Sequence, residues 1–214
     1  MSRSFGYKCA WIAVRTDSPL TVATALGLRN LRPSSWEEGI AAAYRYEPKV
    51  ILSRHAFLTP PIDGWTLCVS TAFFKLEREQ QLVPFLCNLS RQLQTMVQCF
   101  QTHRVVEAHT WGWAESGNLM RLYGYLGERG ETLFDIGGQT DAELSLGFRF
   151  FDERSPEAAK PDYLGREGLM FPDEGHVMQL AGKWSIDPTM LDEQDLAVGD
   201  GWVGEVAPYL LGEQ

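Results

Sequence analysis

Three side chains in one short stretch, His103, Glu107 and His109, are of types that do chemistry. Two imidazoles and a carboxylate resemble the ligand set of a facial metal triad, and a carboxylate beside an imidazole is also a general acid/base pair. The segment Arg104–Ala114 reads as a β-strand, and a period of two puts residues 103, 107 and 109 on one face. Along such a strand His103 and His109 lie about 20 Å apart, too far for one ion to grip. The residues therefore predict no metal site. Trp111 and Trp113 follow on the same face and read as core, so a buried His–Glu hydrogen bond is the simpler explanation of the pair. The enzymatic alternative is a small-molecule hydrolase or transferase with its site near Glu107, His109 and Tyr123.

Other catalytic patterns fail. The stretch Gly124–Glu131 is rich in glycine but lacks the GxGxxG order and any following helix signal, so it predicts a turn and no phosphate site. There is no GxSxG, P-loop or HExxH. Cys9, Cys68, Cys87 and Cys99 form no CxxC pair. Cys9 and Cys68 lie in apolar, strand-like runs, which predicts buried, reduced thiols. No catalytic residue, metal or cofactor is expected, and the chain reads as a non-enzyme. His176 reads as a solvated surface residue.

The elements that must position these residues give an α+β pattern, a mainly antiparallel sheet flanked by helices. Strands are expected at Lys8–Arg15, Lys49–Arg54, Trp65–Thr71, Met96–Phe100, Arg104–Ala114, Leu119–Leu126 and Thr132–Ile136. Helices are expected after Ser18-Pro19, after Ser35 with Glu38 in a capping box, from Pro84 to Gln94, after Thr140 with Glu143 in a second capping box, and from Asp173 to Ala181. The turn Glu115-Ser116-Gly117-Asn118 sets a hairpin register. In that register Trp113 faces Met120, Trp111 faces Leu122, His109 faces Gly124 and Glu107 faces Leu126. Thr110 and Ala108 then meet Tyr123 and Tyr125 on the other face. The 214 residues suit a single domain 1–214, or two lobes, 1–136 and 137–214, divided at Gly137-Gly138.

Charge is segregated along the chain. Residues 1–134 carry 14 Lys+Arg against 11 Asp+Glu, whereas residues 135–214 carry 5 against 17, within a net charge of −9. An acidic surface of this density repels nucleic acid and anionic membrane and draws in basic partners. Met1–Lys8 lacks the apolar run of a signal peptide and no stretch is long and apolar enough for a membrane helix, so a cytoplasmic protein is expected. A homodimer is compatible with this composition.

Two blocks, Thr102–Gly147 (THRVVEAHTWGWAESGNLMRLYGYLGERGETLFDIGGQTDAELSLG) and Pro161–Ile186 (PDYLGREGLMFPDEGHVMQLAGKWSI), resemble the hallmark segments of bacterial type VI secretion immunity proteins. Together they cover about a third of the chain. The resemblance implies a cytoplasmic, non-catalytic inhibitor whose partner is a cognate toxin or effector of nuclease type. Such a toxin must be basic where it meets phosphates. The acids expected to meet it are Asp152, Glu153, Asp173, Glu174, Asp192, Glu193 and Asp195, with exposed aromatics such as Phe151, Tyr163 or Trp202 as anchors.

Overall fold

The computed structural model describes residues 4–45, 52–150, 155–156, 158–160, 171–193 and 199–211. Among the described residues nine antiparallel strands form one sheet: β1 (Cys9–Val14), β2 (Arg29–Ser34), β3 (His55–Leu58), β4 (Thr66–Val69), β5 (Met96–His103), β6 (Ala108–Glu115), β7 (Asn118–Leu126), β8 (Glu131–Ile136) and β9 (Gly201–Glu205). Their order across the sheet is β2-β9-β3-β4-β1-β5-β6-β7-β8. The protein is an α+β fold.

Helices α1 (Pro19–Ala25) and α3 (Glu79–Leu93) cover one face of the sheet. Val22 and Ala23 of α1 and Leu82, Leu86 and Leu89 of α3 pack there on Ile12, Cys68, Cys99 and Leu122. Helices α2 (Trp36–Ala43), α4 (Asp141–Ser145) and α5 (Glu174–Trp184) lie on the other face. That layer is aromatic: Trp11, Trp36, Phe57, Phe100, Trp111, Tyr123, Tyr125 and Phe148 are all buried in it, and Trp11 stacks on Phe100 at 5.0 Å. Both faces being covered, β1 is buried at every position and reads as a continuous apolar run rather than an alternation.

Several local expectations need correction. Pro84 does not open a helix: α3 begins five residues earlier at Glu79, behind Arg78, and carries Pro84 inside it. Pro84 lies in the second turn, so it removes the donor that the Gln80 carbonyl would otherwise meet. The strand expected at Lys49–Arg54 falls partly outside the described residues, and the paired segment is His55–Leu58. Two strands, β2 and β9, gave no usable signal. β2 (RNLRPS) is polar and contains Pro33, which an edge strand tolerates. β9 (GWVGE) is short and glycine-containing, yet it lies between β2 and β3 and ties residues 201–205 to strands from the first third of the chain. Trp202 within it is half-buried against the α1/α3 layer rather than exposed.

The central hairpin departs from its expected register by one residue. Ser116 (φ 48°) and Gly117 (φ 89°) make the two-residue turn, and Glu115 pairs with Asn118 as the turn predicts. A bulge follows. Ala114 pairs with Leu119 and Trp113 with Arg121, so Met120 is the extra residue and is exposed. Every later pair shifts: Trp111 meets Tyr123, Thr110 meets Gly124, His109 meets Tyr125 and Ala108 meets Leu126. A one-residue slip turns each side chain to the opposite face. Tyr123 and Tyr125 thus join the tryptophan layer, and Arg121 is carried into it.

Gly137 secures this bulge. Its φ of +78° suits glycine, and a Cβ there would lie 2.3 Å from the carbonyl oxygen of Met120. Gly137→Ala is expected to destabilise the fold by about 2–4 kcal/mol, from left-handed strain plus overpacking. Neighbouring Gly138, whose added Cβ would meet nothing within 4 Å, should accept alanine almost neutrally. Thermal unfolding of both variants by circular dichroism checks the contrast. Equal melting temperatures would refute the role given to Gly137.

Candidate functional site

The bulge places a charged side chain in the core. Arg121 is fully buried, as is Glu143, and the two form an ion pair in which Nε donates to Oε1 at 3.0 Å and to Oε2 at 3.1 Å. Trp111 Nε1 donates to Glu143 Oε1 at 2.8 Å. Thr140 contributes its backbone N–H (2.7 Å) and its hydroxyl (2.9 Å) to Oε2, while Glu143 N–H donates back to the Thr140 hydroxyl. The expected capping box of α4 is therefore present, and its carboxylate also neutralises Arg121. Arg121 Nη1 donates to Asp135 and to the carbonyls of Ile136 and Gly137, both at 3.1 Å. Its guanidinium carbon lies 5.6 Å from the ring centres of Tyr123 and Phe150, which stack at 4.0 Å. This centre was missed in the sequence. Its signal was a lone arginine inside the apolar run LMRLYGYL, opposite a helix that begins with its own carboxylate.

The His103–Glu107–His109 constellation is not one strand face. β5 ends at His103, residues 104–107 form the turn, and β6 starts at Ala108. The His103 ring meets Phe74 edge-on in the α1/α3 layer, whereas His109 faces the tryptophan layer. Hairpin pairing, not an extended strand, sets their separation. Glu107 adopts φ 48° in the turn, and its carboxylate reaches back to His109 Nε2 at 3.1 Å. His109 Nδ1 lies 3.1 Å from the Thr102 hydroxyl. A polar row, Cys9–Thr102–His109–Tyr125, runs across β1, β5, β6 and β7 in direct register.

Burial draws the His109 imidazole below its ordinary pKa, against an upward pull from Glu107 and from the acids at the start of α5, Glu174 and Asp173. Burial likewise pushes the Cys9 and Cys99 thiols up to about 12, which keeps them protonated and unreactive. An imidazole linked to a half-exposed carboxylate and a buried hydroxyl can pass a proton, but the ring itself has no exposed surface. Three surface cavities of about 280, 420 and 400 Å³ are lined by other residues, and none by Glu107 or His109. Among the described residues, no group of three or more His, Cys, Asp and Glu side chains could hold a metal ion.

The acids expected to meet a partner divide. Asp152, Glu153 and Asp195 lie outside the described residues, as do Phe151 and Tyr163. Asp173, Asp192 and Glu193 are exposed. Glu174 is a correction: it is buried, and its Oε1 accepts the backbone N–H of Lys8 at 2.9 Å, fixing α5 to the start of β1. Asp173 caps α5 by accepting the His176 N–H at 2.8 Å, and His176 is half-buried with its ring edge-on to Phe148 rather than freely solvated. Asp192 accepts the Ser4 N–H at 3.4 Å and its own N–H returns to the Ser4 hydroxyl at 3.2 Å. Among the described residues no helix is long and apolar enough to cross a membrane. Comparison with protein-family models, curated proteins and solved structures finds no match to this chain.

Two measurements test these assignments. Glu143→Ala leaves Arg121 in the core with only the half-exposed Asp135 as counter-charge and is expected to cost about 3–5 kcal/mol, whereas Arg121→Met with Glu143→Leu should cost distinctly less, because no buried charge remains. Urea unfolding of the two variants decides, and equal losses would overturn the pairing account. For His109 the folded pKa lies below the unfolded value, so the unfolded state binds the proton more readily and stability falls as pH drops through and below about 6.5. Between pH 7.5 and 5.5 wild type should lose stability that His109→Gln does not lose.

Proposed function

We propose that this chain is an immunity protein that binds a co-encoded, secreted toxin of nuclease type and neutralises it by steric and electrostatic occlusion. The observation that carries this reading is the pairing of exposed acids with exposed apolar side chains around α5. Phe171 and Asp173 precede the helix, while Met190, Asp192 and Glu193 follow it, and all five are exposed. The Ser4–Asp192 hydrogen bonds bring the first described residues to the same region, where Tyr7 is also exposed. Exposed apolar side chains accompanied by charged ones are the composition of a protein-binding surface. Its sign complements the basic groove that a nuclease presents to phosphates. The resemblance of Thr102–Gly147 and Pro161–Ile186 to type VI secretion immunity proteins supports the same reading.

A hydrolase or transferase reading rests on the Glu107–His109 hydrogen bond alone. It requires the 104–107 turn to open before a substrate meets the ring.

The test is co-expression of the tagged chain with the neighbouring open reading frame, scoring stoichiometric co-purification and rescue of growth. Asp173→Asn, Asp192→Asn and Glu193→Gln combined should slow association roughly tenfold at low salt and flatten its salt dependence. Rescue with an unchanged salt dependence would sink electrostatic steering while leaving immunity in place. No complex and no rescue would remove the immunity reading itself.

A further inference from the structure

A cavity of about 400 Å³ opens beside the acids that follow α5, between residues 4–7, α2 and the turn at Thr189. The amino-terminal segment is pinned along its edge. Phe5 N–H donates to the Pro188 carbonyl at 3.0 Å, Gly6 N–H donates to the Tyr44 hydroxyl at 3.2 Å, and Ser4 exchanges hydrogen bonds with Asp192. Tyr44 is thereby fixed across Gly6, and its hydroxyl is also hydrogen-bonded to the buried Cys9 thiol. With the hydroxyl committed to both, the part of Tyr44 left to face the cavity is its ring.

Thr189 is held in the same way. Its hydroxyl donates to Asp187 Oδ1 at 2.6 Å, and its methyl carbon stands 3.1 Å from where a Cβ on Gly6 would lie, so the methyl abuts the amino-terminal segment. Phe5 is almost fully buried and meets Trp11 edge-on at 6.0 Å, and Ile40 packs into the same layer one helical turn before Tyr44. The floor is apolar and ordered, and Tyr7, which also lines the cavity, is exposed. A recess already fixed in this way gives up little freedom when a side chain enters it.

The rim carries acids on two sides. The Asp192 carboxylate accepts the Ser4 N–H, and exposed Glu193 follows it. Glu37 is exposed on α2 about two turns before Tyr44 and so stands over the face that bears Ile40 and Tyr44, whereas Arg45 is turned about 100° from Tyr44 round the helix. An apolar seat bordered by carboxylates suits a ring that arrives with cations beside it.

We propose that this cavity seats one aromatic side chain of a protein partner, presented on a segment with lysine or arginine on either side of it. That the partner is the toxin rests on the immunity reading above; the chemistry of the cavity does not.

The probe is the capped peptide Lys-Trp-Lys, titrated into the full-length chain with capped Lys-Ala-Lys and Glu-Trp-Glu as references. Amide NMR shifts of Gly6, Ile40, Tyr44 and Thr189 are the readout. Saturable shifts with Lys-Trp-Lys are expected, with binding roughly tenfold weaker for Lys-Ala-Lys and weaker again than Lys-Trp-Lys for Glu-Trp-Glu. Tyr7→Ala should weaken Lys-Trp-Lys binding several-fold, and Glu37→Gln should weaken it at low salt only. Both side chains are exposed, so neither substitution threatens folding. In the complex obtained by co-expression, Tyr7→Ala should raise the dissociation constant roughly tenfold. Equal shifts with Lys-Trp-Lys and Lys-Ala-Lys, or a complex whose affinity ignores Tyr7→Ala, would overturn the seat and leave immunity standing. Selective peptide binding without any complex or rescue would support the seat and remove the toxin as its occupant.

Discussion

The buried pair Arg121–Glu143 is the constraint on which the aromatic half of the molecule depends. Taking two charges out of water costs several kcal/mol each, and their mutual attraction offsets this only when the remaining donors and lone pairs are satisfied. Here Glu143 accepts from Arg121, from the Trp111 indole and twice from Thr140, while Arg121 also reaches Asp135 and two backbone carbonyls; of the three guanidinium nitrogens, Nη2 is left without a hydrogen-bond partner. Charge-assisted bonds of this kind contribute about 1.5–3 kcal/mol each. The partners come from three elements besides β7 and from the residues flanking them. The pair therefore locks β7 to β6, to β8 and to α4 at once, and any slip in β7 breaks all of these contacts together.

That coupling explains why the bulge at Met120 is retained. In the regular register Arg121 would point at the α1/α3 layer, where α3 packs Leu82, Leu86 and Leu89. The slip moves it beneath Thr140 and Glu143 and moves Tyr123 and Tyr125 with it. A local irregularity in the strand is thus stabilised by a distant helix of five residues. The helix in turn is too short to be stable alone and owes its position to the arginine.

The sequence made the outline of the fold legible where local chemistry is strong. The Glu115–Asn118 turn, the Thr140–Glu143 box, the helix starting near Asp173 and the strand at Cys9–Val14 all stand where residue types and spacing put them. It was silent where tertiary context decides. β9 is a strand because β2 and β3 leave a gap of hydrogen-bonding groups for it, not because GWVGE favours extension. The bulge at Met120 carries no residue signature, so the face of Arg121 could not be read. The His–Glu hydrogen bond was readable as a pair but not in its geometry, since Glu107 occupies a turn and not a strand.

The same pair changes what the charge count means. Of the acids between residues 135 and 214, Asp135 and Glu143 are committed to Arg121 and Glu174 to the Lys8 backbone. A formal charge that is neutralised in the core adds little to the field outside, and exposed charges act on a partner only within about 8–10 Å at physiological salt. The segregation seen along the sequence therefore overstates the field by the carboxylates that build the fold. What is left for recognition is local: a few exposed acids beside apolar side chains around α5. Recognition there must be assigned by that local geometry rather than by the net charge of the chain.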